Sequence, residues 1–330
     1  MQNGKLGLLG DVGATNARFA LLSPDGSMTA PKTCAVADFA SLAEAIEAYL
    51  AKEGRARPTH GALAVAAPIV GDAVSMINHP WSFSIAALGE RLGLERFSVL
   101  NDFVANALAI PHLRDNDVAK LGGGAPTAGA PIGVLGPGSG LGVSGLFWSE
   151  GRAVAIEGEG GHATLAPANA RESAVLDRLR VRFGHVSAER ALSGPGLVNL
   201  YGALCELSGE AAPALTPAEI THASRLREDP RAREAVTMFC AMLGTIAGNL
   251  ALTLGAHGGV YIAGGIAPKL GPAVFGPPFR ERFEDKGRLR DYLASTPTYL
   301  ILRPTPALLG MAARLQGALE KASHGKPRPP

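Results

Sequence analysis

Asp11-Val12-Gly13-Ala14-Thr15 sets a carboxylate, two small residues and a hydroxyl directly after the apolar run Leu8-Leu9-Gly10. A turn of small residues lets backbone N–H groups approach an anion. Asp11 would repel a phosphate, so its fitting partner is a hydrated Mg²⁺ that travels with the phosphate, held through water. Gly10–Thr15 therefore reads as a nucleotide-phosphate turn, although the same residues also make a plain hairpin turn. A second glycine-rich turn follows another apolar run at Gly136-Pro137-Gly138-Ser139-Gly140-Leu141-Gly142. Its N–H groups and the Ser139 hydroxyl suit a terminal phosphate. It is not a dinucleotide fingerprint, because Leu141 and Val143 stand where G-x-G-x-x-G needs glycine, and the chain has no G-x-x-x-x-G-K-[ST] P-loop. A third run, Gly258-Gly259-Val260-Tyr261-Ile262-Ala263-Gly264-Gly265, ends in a glycine pair whose backbone can approach a flat adenine.

Two further stretches carry acid–base groups. Asn101-Asp102 closes the apolar run Phe97–Leu100 and precedes a helical pattern over 103–110. The carboxyl end of a strand is the favoured ligand position in α/β sheets. Asp102 there can orient a hydroxyl and accept its proton, which is all that phosphoryl transfer asks of a carboxylate. Helix capping is the competing role for the pair. Gly158-Glu159-Gly160-Gly161-His162 puts a carboxylate and an imidazole in a glycine frame, both able to meet sugar hydroxyls. No HExxH zinc pattern is present, and His162 can equally be a support for Glu159. Glu189, in Ser187-Ala188-Glu189-Arg190, is one more candidate carboxylate, or a solvated helix residue behind a Ser187 cap.

The elements that must position these groups alternate. Strands are predicted near 6–9, 17–22, 62–66 and 97–100, with an amphipathic helix near 39–51. That alternation indicates an α/β sheet. The stretch from Leu121 to Pro131 is too rich in Gly and Pro to be either element. A second α/β block is predicted from Ile132, with helices near 172–183 and 232–254 and a strand over 260–263. Ala235–Pro268 holds no formally charged residue, but Asn249, His257 and several glycines interrupt it, so it reads as a buried helix and strand rather than a membrane span. Gly325–Pro330 is predicted to be disordered.

The 330 residues suffice for two domains, and the net charge of +2 is scattered rather than blocked, which gives no sign of a nucleic-acid partner. Cys34, Cys205 and Cys240 form neither metal spacing nor a disulfide framework, as expected for a reducing compartment. No signal peptide is expected, since the first apolar run meets Asp11 at once, and no helix-turn-helix fits before the first strand. The chain shows no repeat of solenoid period.

Taken together, these segments resemble the bacterial ATP-dependent glucokinase family, the group without the cysteine-rich zinc motif of repressor-type sugar kinases. The likeness runs through Gly10–Arg18, Ala66–Asp72 to Asn78-His79-Pro80-Trp81, Asn101-Asp102-Phe103 and Gly158–His162. It continues through Gly184–Arg190 with Leu192–Tyr201, Gly258–Gly265 and Phe283–Arg288.

The resemblance implies two ribonuclease H-like (actin-like ATPase) α/β domains with the active site in the interdomain cleft. Their expected extents are a small domain over 1–111, completed by a C-terminal helix over about 304–321, a large domain over 112–303, and a disordered tail over 322–330. It further implies Asp102 as the general base and Asn101, Glu159, His162 and Glu189 as sugar contacts. The ATP contacts it implies are Gly10, Asp11, Val12, Gly13, Ala14 and Thr15, then Gly138, Ser139 and Gly140 in the second turn. Gly264 and Gly265 are the adenine-side candidates. A cytoplasmic homodimer that phosphorylates glucose with Mg²⁺ and ATP is the implied whole. Two competitors remain, a kinase for mannose or fructose, and a sugar-sensing regulator without catalysis. Ala14 replaces the family's more frequent Gly and Ser139 its common Thr. Ala14 would cost about 1 kcal/mol only if its φ had to be positive.

Overall fold

A computed structural model describes residues 6–54, 57–76 and 79–324. The chain divides into two units, one reaching to Leu113 and resuming at Pro304, the other Arg114–Arg303. Asn78 of the Asn78-His79 motif and tail residues 325–330 lie outside the described residues.

The first unit is built on strands β1 (Gly7–Val12), β2 (Asn16–Leu22), β3 (Met28–Ala35) and β4 (His60–Val65), a small hairpin of β5 (Ala73–Ser75) and β6 (Ser82–Ser84), and β7 (Arg96–Asn101). Its five-stranded sheet runs in the order β3-β2-β1-β4-β7, the first three antiparallel, β1, β4 and β7 parallel. Every residue of β4 is buried, as expected of a central parallel strand covered on both faces. One face packs on α1 (Leu42–Lys52), whose Ser41 caps it by accepting the Glu44 N–H and whose Ile46 and Tyr49 enter the core. α2 (Ile85–Arg91) leads into β7, and α3 (Asp102–Ala109) leaves it. On the other face the C-terminal helix, Pro306–His324, buries Leu308, Met311 and Leu315 against Leu9, Ala62 and Ala105. Gly310 lets it lie on α3, because a Cβ there would fall inside the Ala105 carbonyl. The predicted tail therefore starts too early, since 322–324 continue this helix.

The second unit holds β8 (Val118–Gly122), β9 (Ile132–Pro137), β10 (Leu141–Ser149) and β11 (Arg152–Ile156). After them come α4 (Ala170–Phe183), α5 (Gly194–Leu207), α6 (Pro217–Ile220), α7 (Ala223–Glu228) and α8 (Pro230–Leu254). β12 (Gly259–Ile262), α9 (Ala267–Glu284), α10 (Arg290–Ser295) and β13 (Thr298–Ile301) complete it. The sheet order is β11-β10-β9-β12-β13-β8, again an antiparallel meander followed by parallel neighbours, with β8 added antiparallel at the far edge. β8 takes in Leu121 and Gly122, which the sequence assigns to a loop, and it starts the second block before Ile132. Asp117 pins this edge: its carboxylate accepts the Arg114 N–H at 3.0 Å and meets Arg303, and its carbonyl accepts the N–H groups of Leu302 and Arg303.

α8 is long and apolar enough to cross a membrane, yet Phe239, Leu243, Ala247 and Ala251 on it are buried against α5 and α9. Asp229 caps its start, and Gly255, in the left-handed region at φ 62°, ends it. α9 breaks at Gly271 and stacks Phe275, Phe279 and Phe283 beneath the sheet.

Candidate active site

In the first unit, β1 runs through Val12, so Gly10, Asp11 and Val12 are strand residues and not part of the turn that the sequence suggests. The turn is Gly13-Ala14-Thr15, closed by the Gly13 N–H donating to Asn16 O at 3.0 Å. Ala14 is not among the residues with positive φ, so its methyl group carries no strain and its N–H is kept. Thr15 is exposed. Asp11 faces Arg18 across the hairpin, with Nη1 and Oδ2 3.2 Å apart. Burial pushes the Asp11 carboxyl up from its ordinary value, and Arg18 acts in the opposite direction. Arg18 went unassigned in the sequence reading, and the signal for it was the hairpin pairing itself. Among the described residues no cluster of three His, Cys, Asp or Glu could hold a metal ion. One strand-end carboxylate fits the Mg²⁺ pattern, in which the ion keeps waters and substrate phosphates supply its other ligands.

Of the two roles weighed for the Asn101–Asp102 pair, the geometry displays the cap. Asn101 Oδ1 accepts the Phe103 and Val104 N–H groups at 2.8 and 3.3 Å, and Nδ2 donates to Ala67 O at 3.2 Å. That amide caps α3 and ties it to the end of β4. Asp102 is thereby the first helical residue, half-buried at the carboxyl end of β7, where a helix N-terminus favours negative charge.

In the second unit, the glycines separate into two kinds. A Cβ on Gly136 would fall inside the Ala263 carbonyl, and one on Gly264, at φ 85°, inside the Pro137 carbonyl. These two glycines let the ends of β9 and β12 touch backbone to backbone, and the Ala263 N–H donates to Leu135 O at 2.8 Å. Gly138 and Gly265 have nothing within 4 Å of such a Cβ, and Ser139 is exposed. Open space thus lies over Gly138, Ser139 and Gly265. Gly138 spends its own N–H on Gly140 O at 2.8 Å, and its carbonyl accepts the Gly194 N–H at 2.8 Å, which ties the turn to the start of α5.

Glu159 precedes and His162 ends a single 3-10 turn, Gly160–His162, held by the His162 N–H donating to Glu159 O at 3.0 Å. Both side chains are exposed. The following segment pairs with the one before Glu189: Leu165 N–H donates to Val186 O and Ala188 N–H to Ala163 O, with an antiparallel bridge between Thr164 and Ser187. Residues far apart in the chain are thereby brought together. Glu189 sits in the 3-10 turn Ala188–Arg190, and Ser187 makes no side-chain cap, so the solvated-helix reading does not hold. Instead Glu189 is half-buried, and its Oε2 accepts the Leu141 N–H at 2.9 Å. Gly161 lies on the carbonyl of the same Leu141. The Leu141 contacts have no signature in the sequence.

The family model described as Glucokinase matches residues 8–318. The chain is 52% identical over 307 residues to a glucokinase of Paramagnetospirillum magneticum, covering 92% of this chain and 96% of that one. A crystal structure of glucokinase from an Antarctic psychrotroph superposes with a TM-score of 0.83 at 34% identity, over 95% of this chain and 99% of that one. A glucokinase of the ROK family from Streptomyces griseus, in complex with glucose and AMPPNP, gives a TM-score of 0.62 at 17% identity, over 95% of this chain and 99% of that one. That last likeness speaks for the fold. The repeated strand order and these structures make both units ribonuclease H-like, of the actin-like ATPase type.

Proposed function

Because the chain belongs to the glucokinase family, we propose that it transfers the γ-phosphoryl group of ATP to the 6-hydroxyl of glucose. The observation that carries this reading is the capped strand end at Asn101, which fixes Asp102 on the first turn of α3. Asp102 orients the hydroxyl and takes its proton as the oxygen attacks phosphorus, and the bond from phosphorus to the ADP oxygen breaks. Glu159 and Glu189 accept hydrogen bonds from ring hydroxyls, His162 donates or accepts one, and the remaining Asn101 N–H donates another. The backbone N–H groups of Ala14 and Thr15 and the Ser139 hydroxyl face the phosphates, and Gly265 leaves room for adenine. Mg²⁺ carried with ATP, held by Asp11 through water, would neutralise charge on the phosphates. The enzyme would act in the cytoplasm as a homodimer, a state that light scattering on the purified protein reads directly.

Mannose or fructose as the true acceptor, and sugar sensing without catalysis, are the readings to exclude. ADP release with Mg·ATP and a panel of hexoses, run beside Asp102→Asn, does so. Turnover confined to glucose is expected, with the variant still binding glucose by calorimetry while losing about 10²–10⁴-fold in kcat. Preference for another hexose changes the acceptor and keeps the mechanism. Hexose binding with no ADP release in the wild type supports the sensor. A variant of near-normal rate removes Asp102 from its role.

A further inference from the structure

Gly140 stands in the second phosphate turn, yet the atoms nearest to its missing side chain belong to Glu189. A Cβ on Gly140 would fall inside contact distance of Glu189 Oε2, and the carboxylate carbon lies 3.3 Å from that point. The same Oε2 accepts the N–H of the next residue, Leu141, at 2.9 Å. The Leu141 carbonyl is covered by Gly161, between Glu159 and His162. From the other end, Gly194 N–H holds Gly138 O at 2.8 Å, and Ser193 Oγ donates to Glu189 O at 2.8 Å. All of these residues lie in Arg114–Arg303.

We propose that Gly140 is a positioning residue for the sugar end of the site, and that Leu141 joins the phosphate turn to the sugar-holding carboxylate so that sugar and nucleotide bind with positive coupling. This rests on the reading of Glu189 as a sugar contact. The physical argument has two parts. Glycine at 140 leaves the volume in which the carboxylate rests, so any larger residue displaces Glu189 and with it the Leu141 bond. A sugar hydroxyl that donates to Glu189 orders the carboxylate, and the ordered carboxylate holds the Leu141 N–H and the turn that precedes it. The second ligand then meets a turn already ordered and loses less conformational freedom on binding. By linkage the nucleotide must tighten sugar binding by the same factor.

Calorimetric titration of wild type and Gly140→Ala with glucose, and with a non-hydrolysable ATP analogue and Mg²⁺ with or without glucose, tests this. Wild type is expected to bind the analogue about fivefold or more tightly when glucose is present. Gly140→Ala is expected to weaken glucose about tenfold, to change the analogue alone far less, and to abolish the tightening. Weakened analogue binding with unchanged glucose affinity would show Gly140 to be a phosphate contact only, and would overturn the proposal while leaving the kinase reading intact. A wild type that fails to bind glucose overturns both readings. Should Gly140→Ala fold poorly, Glu189→Asp with and without it gives the same answer, because the shorter side chain vacates the Cβ position. The double variant is expected to bind glucose as weakly as Glu189→Asp alone, whereas multiplied losses would mean independent roles and refute the coupling.

Discussion

The turn between β1 and β2 and the turn between β9 and β10 hold the same place in two sheets of matching strand order, and they are built on different physics. In the first, Gly13 has ordinary φ and its nearest neighbour, Asn16 O, is 3.5 Å from a would-be Cβ, so the turn is made by one hairpin hydrogen bond. In the second, Gly136 and its partner Gly264 are glycine because two backbones touch, and Gly140 because a carboxylate fills the space. The same strand arrangement therefore yields one turn that tolerates side chains and one that is packed into its unit. A glycine-rich string is evidence for a phosphate site only after its glycines have been sorted by what they touch.

The sharpest way to break this contrast is Gly264→Ala beside Gly136→Ala. Overpacking against a rigid carbonyl is expected to destabilise by about 3 kcal/mol in each, with about 1 kcal/mol more at Gly264 for its φ of 85°. Differential scanning calorimetry reads both, and wild-type-like melting would show that β9 and β12 can part freely.

The edge strand β8, which the first sheet lacks, depends on Asp117. The Arg114 N–H, and then Arg303, hold its carboxyl below the ordinary 3.8. A lowered carboxylate value means stabilisation present above 3.8 and lost as the pH falls through the lowered value. Asp117→Asn is expected to lose about 1 kcal/mol at neutral pH, little because Arg303 is partly exposed and screened. That deficit should narrow below pH 3.8, and a pH-independent deficit would assign the effect to packing instead.

The first unit offers the opposite sign. Asn106 on α3 is 8% exposed, and its Oδ1 has no hydrogen-bond partner among the described residues. Asn106→Leu, close in shape, is expected to raise stability by about 1 kcal/mol, visible as a higher Tm. A lower Tm would reveal a bridging water on that carbonyl. The smallest effects belong to the tolerant turn. Gly13→Ala and Ala14→Gly should each change stability by less than about 1 kcal/mol, read as Tm. A large change in either would end the claim that this turn needs no glycine.

Much of the fold was legible in the chain. The apolar runs marked β1, β2, β4, β7 and β12, and the uncharged stretch after Ala235 marked α8 as a core helix. β3, β5, β6, β8, β10, β11 and β13 were missed, since strands at or near sheet edges carry mixed polarity and take their structure from neighbours. At the site, Asn101 and Asp102 were readable because a strand end, a cap and a helix start follow one another in sequence. Glu189 was a candidate carboxylate from its own stretch and a sugar contact by family likeness, while its link to Leu141 could not be read at all.

What the sequence determined by itself was therefore local: where strands and helices form, which carboxylate begins α3, and where turns of small residues lie. Hydrogen bonding and burial period act over a few residues, so they leave a trace in the order of residues. Only the tertiary structure decided that Asp11 is a strand residue facing Arg18, that Gly136 and Gly264 meet, and that Glu189 rests against Gly140 and bonds to Leu141. Those are contacts between segments distant along the chain, set by strand register and by the approach of backbones, and no local pattern encodes either.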